Sequence, residues 1–190
     1  MRSLLQLQQD NNSTTKRPTS SCSYFDNGID VIAEIRRKLQ FLLRVWRSAY
    51  KLKALSSLPT ELKVTHTPNP VQAHRGELSG YQYTWVYATT IESLVGAVVI
   101  EEFGAFSWVG GQWYFTNFTA KPFTRNDFIE WYSCPRGMIL PNCQYTDFQN
   151  WSGSAKLINK KTKWYFIGRN ESGRRIKGEA EIEELGELIE

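Results

Sequence analysis

The sequence predicts a mainly β protein, a small antiparallel β barrel of calycin-like size preceded by one N-terminal amphipathic helix. Three observations lead there. Aromatic residues make up 14% of the chain, and such side chains favour half-buried strand positions. Hydrophobic periodicity changes from 3.6 to 2 after Pro59, with a less regular stretch from Pro122 to Cys143. The predicted strands are joined by tight turns, with no long helix between them, which points to a barrel or a sandwich. Closure removes the exposed edges that a small antiparallel sheet must otherwise blunt, so the barrel is preferred. The alternative is an α+β cone of the NTF2-like kind, with the helix filling a curved sheet.

Residues 1–25 are polar and rich in Ser and Thr, with Asp10 the one acid. They read as a disordered tail or, being Ser-rich and acid-poor, as a transit segment. Residues 26–58 read as helix and linker. Asp26 or Asn27 can cap it, and Asp30 and Glu34 sit near its positive end. Ile32, Ile35, Leu39, Leu42, Trp46 and Ala49 recur at spacings of three and four and predict an apolar face. Arg37, Arg44 and Lys51 are expected on the opposite side.

Residues 59–183 read as the β domain. Tyr81, Tyr83, Trp85 and Tyr87 alternate with smaller or polar residues, so one strand should carry four rings on one face. The apolar run Leu94–Ile100 predicts a strand covered on both sides. Gly110-Gly111 predicts a two-residue hairpin turn with Trp108 and Trp113 on its arms. Asp127–Ser133 fits a strand or a short helix, and Cys134–Cys143 a turn-rich loop. A second hairpin is expected around Lys160, Lys161 and Thr162, then a turn at Arg169–Gly173. In the last strand Ile176, Gly178, Ala180 and Ile182 should face inward, and Lys177, Glu179, Glu181 and Glu183 outward. Residues 184–190 read as an acidic tail.

The formal net charge is +4, and its distribution is uneven. Seven basic residues and no acid lie between Arg36 and Lys53, whereas the last twelve residues hold six Glu and no base. A basic front and an acidic end suit an anionic partner at one place. Arg36, Arg37, Arg44, Arg47 and Lys51 are the candidates to meet it, on an anionic membrane surface or on nucleic acid. No apolar run approaches the roughly 18 residues needed to span a bilayer. The opening MRSLLQLQQD is too short of apolar residues for a secretory signal, so the five sequons read as chance. The expected location is intracellular, soluble or peripheral to a membrane, or an organelle if the N-terminus is a transit segment. The three cysteines are too few for a disulfide framework and fit a reducing compartment.

Catalytic motifs are scarce. No nucleophile elbow or phosphate-binding glycine loop occurs, and neither histidine lies near Cys134 or Cys143 in metal-ligand spacing. No catalytic residue, cofactor or metal is assigned. The candidate binding residues are therefore aromatic: Tyr81, Tyr83, Trp85, Tyr87, Trp108, Trp113, Trp164 and Phe166. Lining a small barrel, they would take one small apolar or aromatic molecule, with hydroxyl and indole groups as polar anchors. The functional expectation is a non-enzymatic binding or sensing module. The alternatives are a nucleic-acid-binding protein using the basic helix and exposed aromatics, and an enzyme with a site assembled from distant residues such as His66 and Asp147.

Overall fold

The computed structural model describes residues 26–76, 80–117 and 121–189, apart from the side chains of residues 26–31 and 44. The predicted tail of residues 1–25 lies outside the described residues. The chain divides into two compact units, Met1–Leu39 and Gln40–Glu190. The first contains the N-terminal part of helix α1 (Asp26–Ser56), where Glu34 pairs with Arg37 at 3.0 Å and Lys38 at 3.7 Å. Spacings of three and four make these side chains neighbours on the helix surface.

The second unit contains the rest of α1 and a sheet of ten strands. These are β1 (Leu62–Thr67), β2 (Val71–Arg75), β3 (Tyr83–Ser93), β4 (Val98–Val109), β5 (Gln112–Phe115), β6 (Phe123–Thr124), β7 (Met138–Ile139), β8 (Gln144–Ser154), β9 (Lys160–Asn170) and β10 (Arg175–Leu188). The hydrogen-bonded path runs β1-β3-β2-β10-β9-β4-β5, with β8 on β3, and β6 and β7 on β4. All pairings within strands are antiparallel except β2 with β10. The protein is thus mainly β, as predicted. The ladders do not close the sheet: among the described residues none joins β8 to the β4 side.

Helix α2 (Arg125–Tyr132) packs against both β4 and β8, across that unpaired seam. Its start is set by sequence. Thr124 accepts from the Asp127 N–H, and the Asp127 carboxylate accepts from the Thr124 N–H at 2.6 Å. This reciprocal cap satisfies two donors that a helix start leaves free. Arg125, the first residue of the helix, donates to the Arg136 carbonyl at 2.7 Å and so links the helix start to the chain that follows its C-terminus. Asp127–Ser133, open between strand and helix in the sequence, is helical through Tyr132.

Two cores form on the two faces of β9. Trp164 and Phe166 face the larger one, with Phe103, Ala105 and Gly178 as ladder neighbours, whereas Tyr165 and Ile167 face the other. The second core is covered by α1, through Leu52 and Leu55. The part of the helix that belongs to this unit, from Gln40 to Ser56, therefore packs on the face opposite the main core and does not fill a cone. At Gly178 an added Cβ would lie 2.7 Å from Leu62 Cβ, so glycine lets β1 approach β10.

Several sequence expectations need correction. Leu94–Gly96 is a bend and Leu94 is exposed; the strand starts at Val98. Lys160, Lys161 and Thr162 are not a turn but the start of β9, and β8 pairs with β3. Strand β10 continues to Leu188, through most of the segment read as an acidic tail. Lys177, expected outside, is buried. The predicted apolar stripe of α1 is exposed along its length; the face that docks carries Val45, Ser48, Leu52 and Leu55 instead. The Gly110-Gly111 hairpin and the turn before β10 form as expected, with φ of 57° and 84° at the glycine pair.

Candidate functional site

Strand β3 builds the site. Its alternation turns Trp85, Tyr87, Thr89 and Ile91 into the main core, and all four have 2% exposure or less. Directly opposite them on β8 stand Ser152, Asn150, Asp147 and Tyr145. The register slips between Tyr87 and Thr89, where β8 uses one residue more. Such a bulge re-aims side chains. Here it leaves Phe148 and Gln149 exposed, and the Gln149 N–H donates to Asp147 Oδ1 at 3.0 Å. On the other flank of β3, His66 of β1 is the ladder partner of Thr89. His66, Thr89 and Asp147 therefore occupy one row across three strands.

The Thr89 hydroxyl is the hub. Asn150 Nδ2 donates to it at 2.8 Å, and His66 Nδ1 lies 3.0 Å away. Asn150 Oδ1 accepts from the Trp151 N–H, which fixes the amide's orientation. The consistent assignment has Thr89 donating to Nδ1 and His66 Nε2–H facing the Ala180 carbonyl, 3.4 Å away. Burial pushes the imidazole pKa down to about 4, against a smaller upward pull from that carbonyl, so the ring is neutral at physiological pH. The ring meets Tyr87 edge-on at 5.5 Å. Tyr87 accepts from Trp164 Nε1 at 2.8 Å, and its own pKa is raised chiefly by burial, then by the charge of Glu184.

Tyr132 enters from α2. Its hydroxyl is buried beside the Thr89 hydroxyl, short of a well-formed hydrogen bond. Burial, then the charges of Asp147 and Tyr87, raises its pKa well above the tyrosine value, with the nearby Thr89 hydroxyl acting the other way. Burial also raises the Asp147 carboxyl, opposed by the Gln149 N–H. A buried polar atom left unpaired costs roughly 1–3 kcal/mol, so this corner of the core is expensive to maintain.

A second polar group in the core is fully satisfied. Glu184 is 1% exposed, accepts from Thr162 at 2.9 Å and from Ser152, and pairs with Lys160 at 3.2 Å. The Lys160 ammonium also lies 4.3 Å from the centre of the Trp85 ring.

The eight aromatic candidates divide into groups. Trp85, Tyr87, Trp164 and Phe166 are buried together in the main core, with Tyr83 half-buried against it. Trp108 and Trp113 pair across the β4–β5 hairpin at 5.1 Å and, with Val45, Ala49 and Leu52 of α1, line an open groove on the other face of the sheet. Tyr81 is exposed, 6.0 Å from Trp151. Of the basic candidates, Arg36, Arg37 and Arg47 are exposed, while Lys51 is committed to Glu102 and the Tyr165 ring; the Arg44 side chain lies outside the described residues.

Asp127 caps α2, and Asp147 stands half-buried opposite Thr89. Cys134 and Cys143 are free, and burial pushes the Cys134 thiol up to about 11. Among the described residues no three His, Cys, Asp or Glu side chains gather to hold a metal. Thr89, Tyr132 and Asn150 were not candidates. Extending the β3 alternation two residues would have found Thr89, and the Phe128–Tyr132 spacing on α2 pointed to Tyr132; nothing in the sequence marks Asn150.

No family model, curated protein or solved structure matches the chain.

Proposed function

We propose that this protein binds one small molecule in the core of its sheet, with strands and α2 together acting as a barrel whose seam is stoppered by the helix. The ligand is a small, flat, largely apolar molecule bearing one hydrogen-bonding group. Its body lies against Tyr83, Tyr87 and the rings carried by α2, and its polar atom pairs with the Tyr132 hydroxyl. The poorly satisfied Tyr132 hydroxyl carries this reading, because it stands beside Asp147 and Thr89 at the border of an aromatic cluster. Apolar walls with a few convergent polar groups are the general composition of small-molecule sites. Entry follows from the seam: α2 covers an edge that no ladder among the described residues closes, so outward movement of one short helix would open the core.

The test is a panel of small aromatic alcohols, phenols and heterocycles, read by thermal shift and tryptophan fluorescence. A binder is expected to raise the melting temperature, and Tyr132→Phe to weaken it about tenfold, the equivalent of one hydrogen bond. Binding unaffected by Tyr132→Phe, or a panel without a binder, would sink the proposal.

One observation favours a second reading, an acid–base enzyme: His66 and Asp147 flank the same Thr89. A neutral imidazole would then act as base. Conversion of a bound ligand that is lost in His66→Gln separates this reading from simple binding.

A further inference from the structure

The part of α1 that belongs to the sheet unit has two unlike sides. One is anchored. Leu55 is 1% exposed in the second core, Ser48 Oγ accepts from the Phe115 N–H at 2.9 Å, and Lys51 pairs with Glu102. The other carries Leu42, Leu43, Trp46 and Tyr50, which are 61%, 44%, 65% and 67% exposed. Trp46 and Tyr50 stack at 5.9 Å, one turn apart. A helix ordinarily turns its apolar residues to the core, so four large ones held outward by the anchored side form a contiguous surface of the kind that marks an interaction site.

Charge identifies the occupant. From Gln40 to Ser56 the sequence has four basic residues and no acid. Arg47 and Lys53 are exposed and form no ion pair among the described residues. A second copy docking face to face would oppose these cations to their equivalents, which disfavours self-association. Nucleic acid would want cations at the centre of the face, whereas here the centre is apolar. Apolar residues flanked by cations, with Trp and Tyr among them, suit the boundary between headgroups and acyl chains. No helix among the described residues is long and apolar enough to cross a membrane, so α1 would lie in the plane of the surface.

We infer that the Leu42–Leu43–Trp46–Tyr50 face of α1 docks on a lipid bilayer bearing anionic headgroups. The sheet then rides at the membrane surface, held by the opposite side of the same helix. Because this face is remote in role from the Thr89 hub, the inference stands or falls apart from the proposed ligand site.

The experiment is co-sedimentation of the full chain with vesicles of phosphatidylcholine, with and without phosphatidylserine. The chain is expected to bind the anionic vesicles at least tenfold more tightly than the neutral ones. Trp46→Ser should reduce that binding about tenfold or more, from lost insertion of one large side chain. Arg47→Gln should reduce it about fivefold and act on the anionic vesicles alone. Both side chains are exposed, so the melting temperature should be unchanged. Equal binding to both vesicles, unchanged binding by both variants, or a dimer in sedimentation that Trp46→Ser dissolves would each overturn the inference. So would tighter binding to single-stranded nucleic acid, with the same dependence on Arg47, than to the anionic vesicles.

Discussion

The main core has two halves built on opposite principles. Around Phe103 it is a stack of rings: Phe123, Phe128, Trp131, Tyr132, Trp164 and Phe166 all lie with centroids between 5.2 and 6.4 Å of it. Around Thr89 it is an imidazole, an amide, a carboxyl and two phenols. The first half needs nothing beyond apolar area and shape. The second must satisfy each donor and acceptor it buries, and at Tyr132 it does not. A fold seeking stability alone would have extended the rings. That it does not is the physical reason to look for function at Thr89 and Tyr132, and Tyr132, which touches both halves, marks their border.

The largest effect expected from this contrast is at Phe103. Phe103→Ala empties the centre of the ring stack and should lower the unfolding free energy by about 3–5 kcal/mol, measured by urea denaturation. Thr89→Val, which keeps the volume and strands the Asn150 and His66 donors and acceptors, should cost less, about 1–3 kcal/mol. If the order is reversed, the polar half is the stabilising one and the comparison breaks.

A smaller effect comes with pH. His66 is held at about 4 when folded and returns towards 6.5 on unfolding. The unfolded chain therefore binds more protons between these values, so stability is complete above pH 6.5 and drains as the pH falls towards 4. The loss attributable to His66 between pH 7 and pH 5 is about 2 kcal/mol. Asp147, whose pKa is raised, contributes in the opposite sense, losing stability as the pH rises through its folded value. Comparing the wild type with His66→Gln isolates the histidine. The variant should show a flatter profile between pH 7 and pH 5; parallel profiles would mean that the ring protonates freely in the fold.

The sequence marked Trp164 and Phe166 in the ring-bearing half and Tyr87, His66 and Asp147 in the polar half, but not how either half is put together. The alternation from Tyr83 to Ile91 and the positive-φ glycines declare strand and turn locally, before any tertiary contact exists. Lys160 and Lys161 look like a turn because lysine is rarely placed at the start of a core strand. They sit there because Lys160 reaches Glu184 and the Trp85 ring, and Lys161 reaches Glu183, partners more than twenty residues away. Helix α1 presents apolar residues on two sides, so periodicity finds a helix without telling which side will be covered. The inward aim of Asp147 depends on the β8 bulge, a slip of one residue in register that no local pattern announces.

The finest test compares two tyrosines of identical chemistry. Tyr87 accepts a hydrogen bond from Trp164, so Tyr87→Phe strands a buried indole N–H and should destabilise the protein by about 1–3 kcal/mol. Tyr132 has only the Thr89 hydroxyl beside it and no well-formed hydrogen bond, so Tyr132→Phe removes a poorly satisfied buried hydroxyl. That variant should unfold no more easily than the wild type, and harder by up to about 1 kcal/mol. Paired with the tenfold loss of ligand affinity expected of the same substitution, the signs oppose: stability holds or rises while binding falls. This opposition is the signature of a group retained for function at the expense of the fold. Equal destabilisation by the two variants would make Tyr132 a structural partner of Thr89, and the polar half of the core would then need no ligand to explain it.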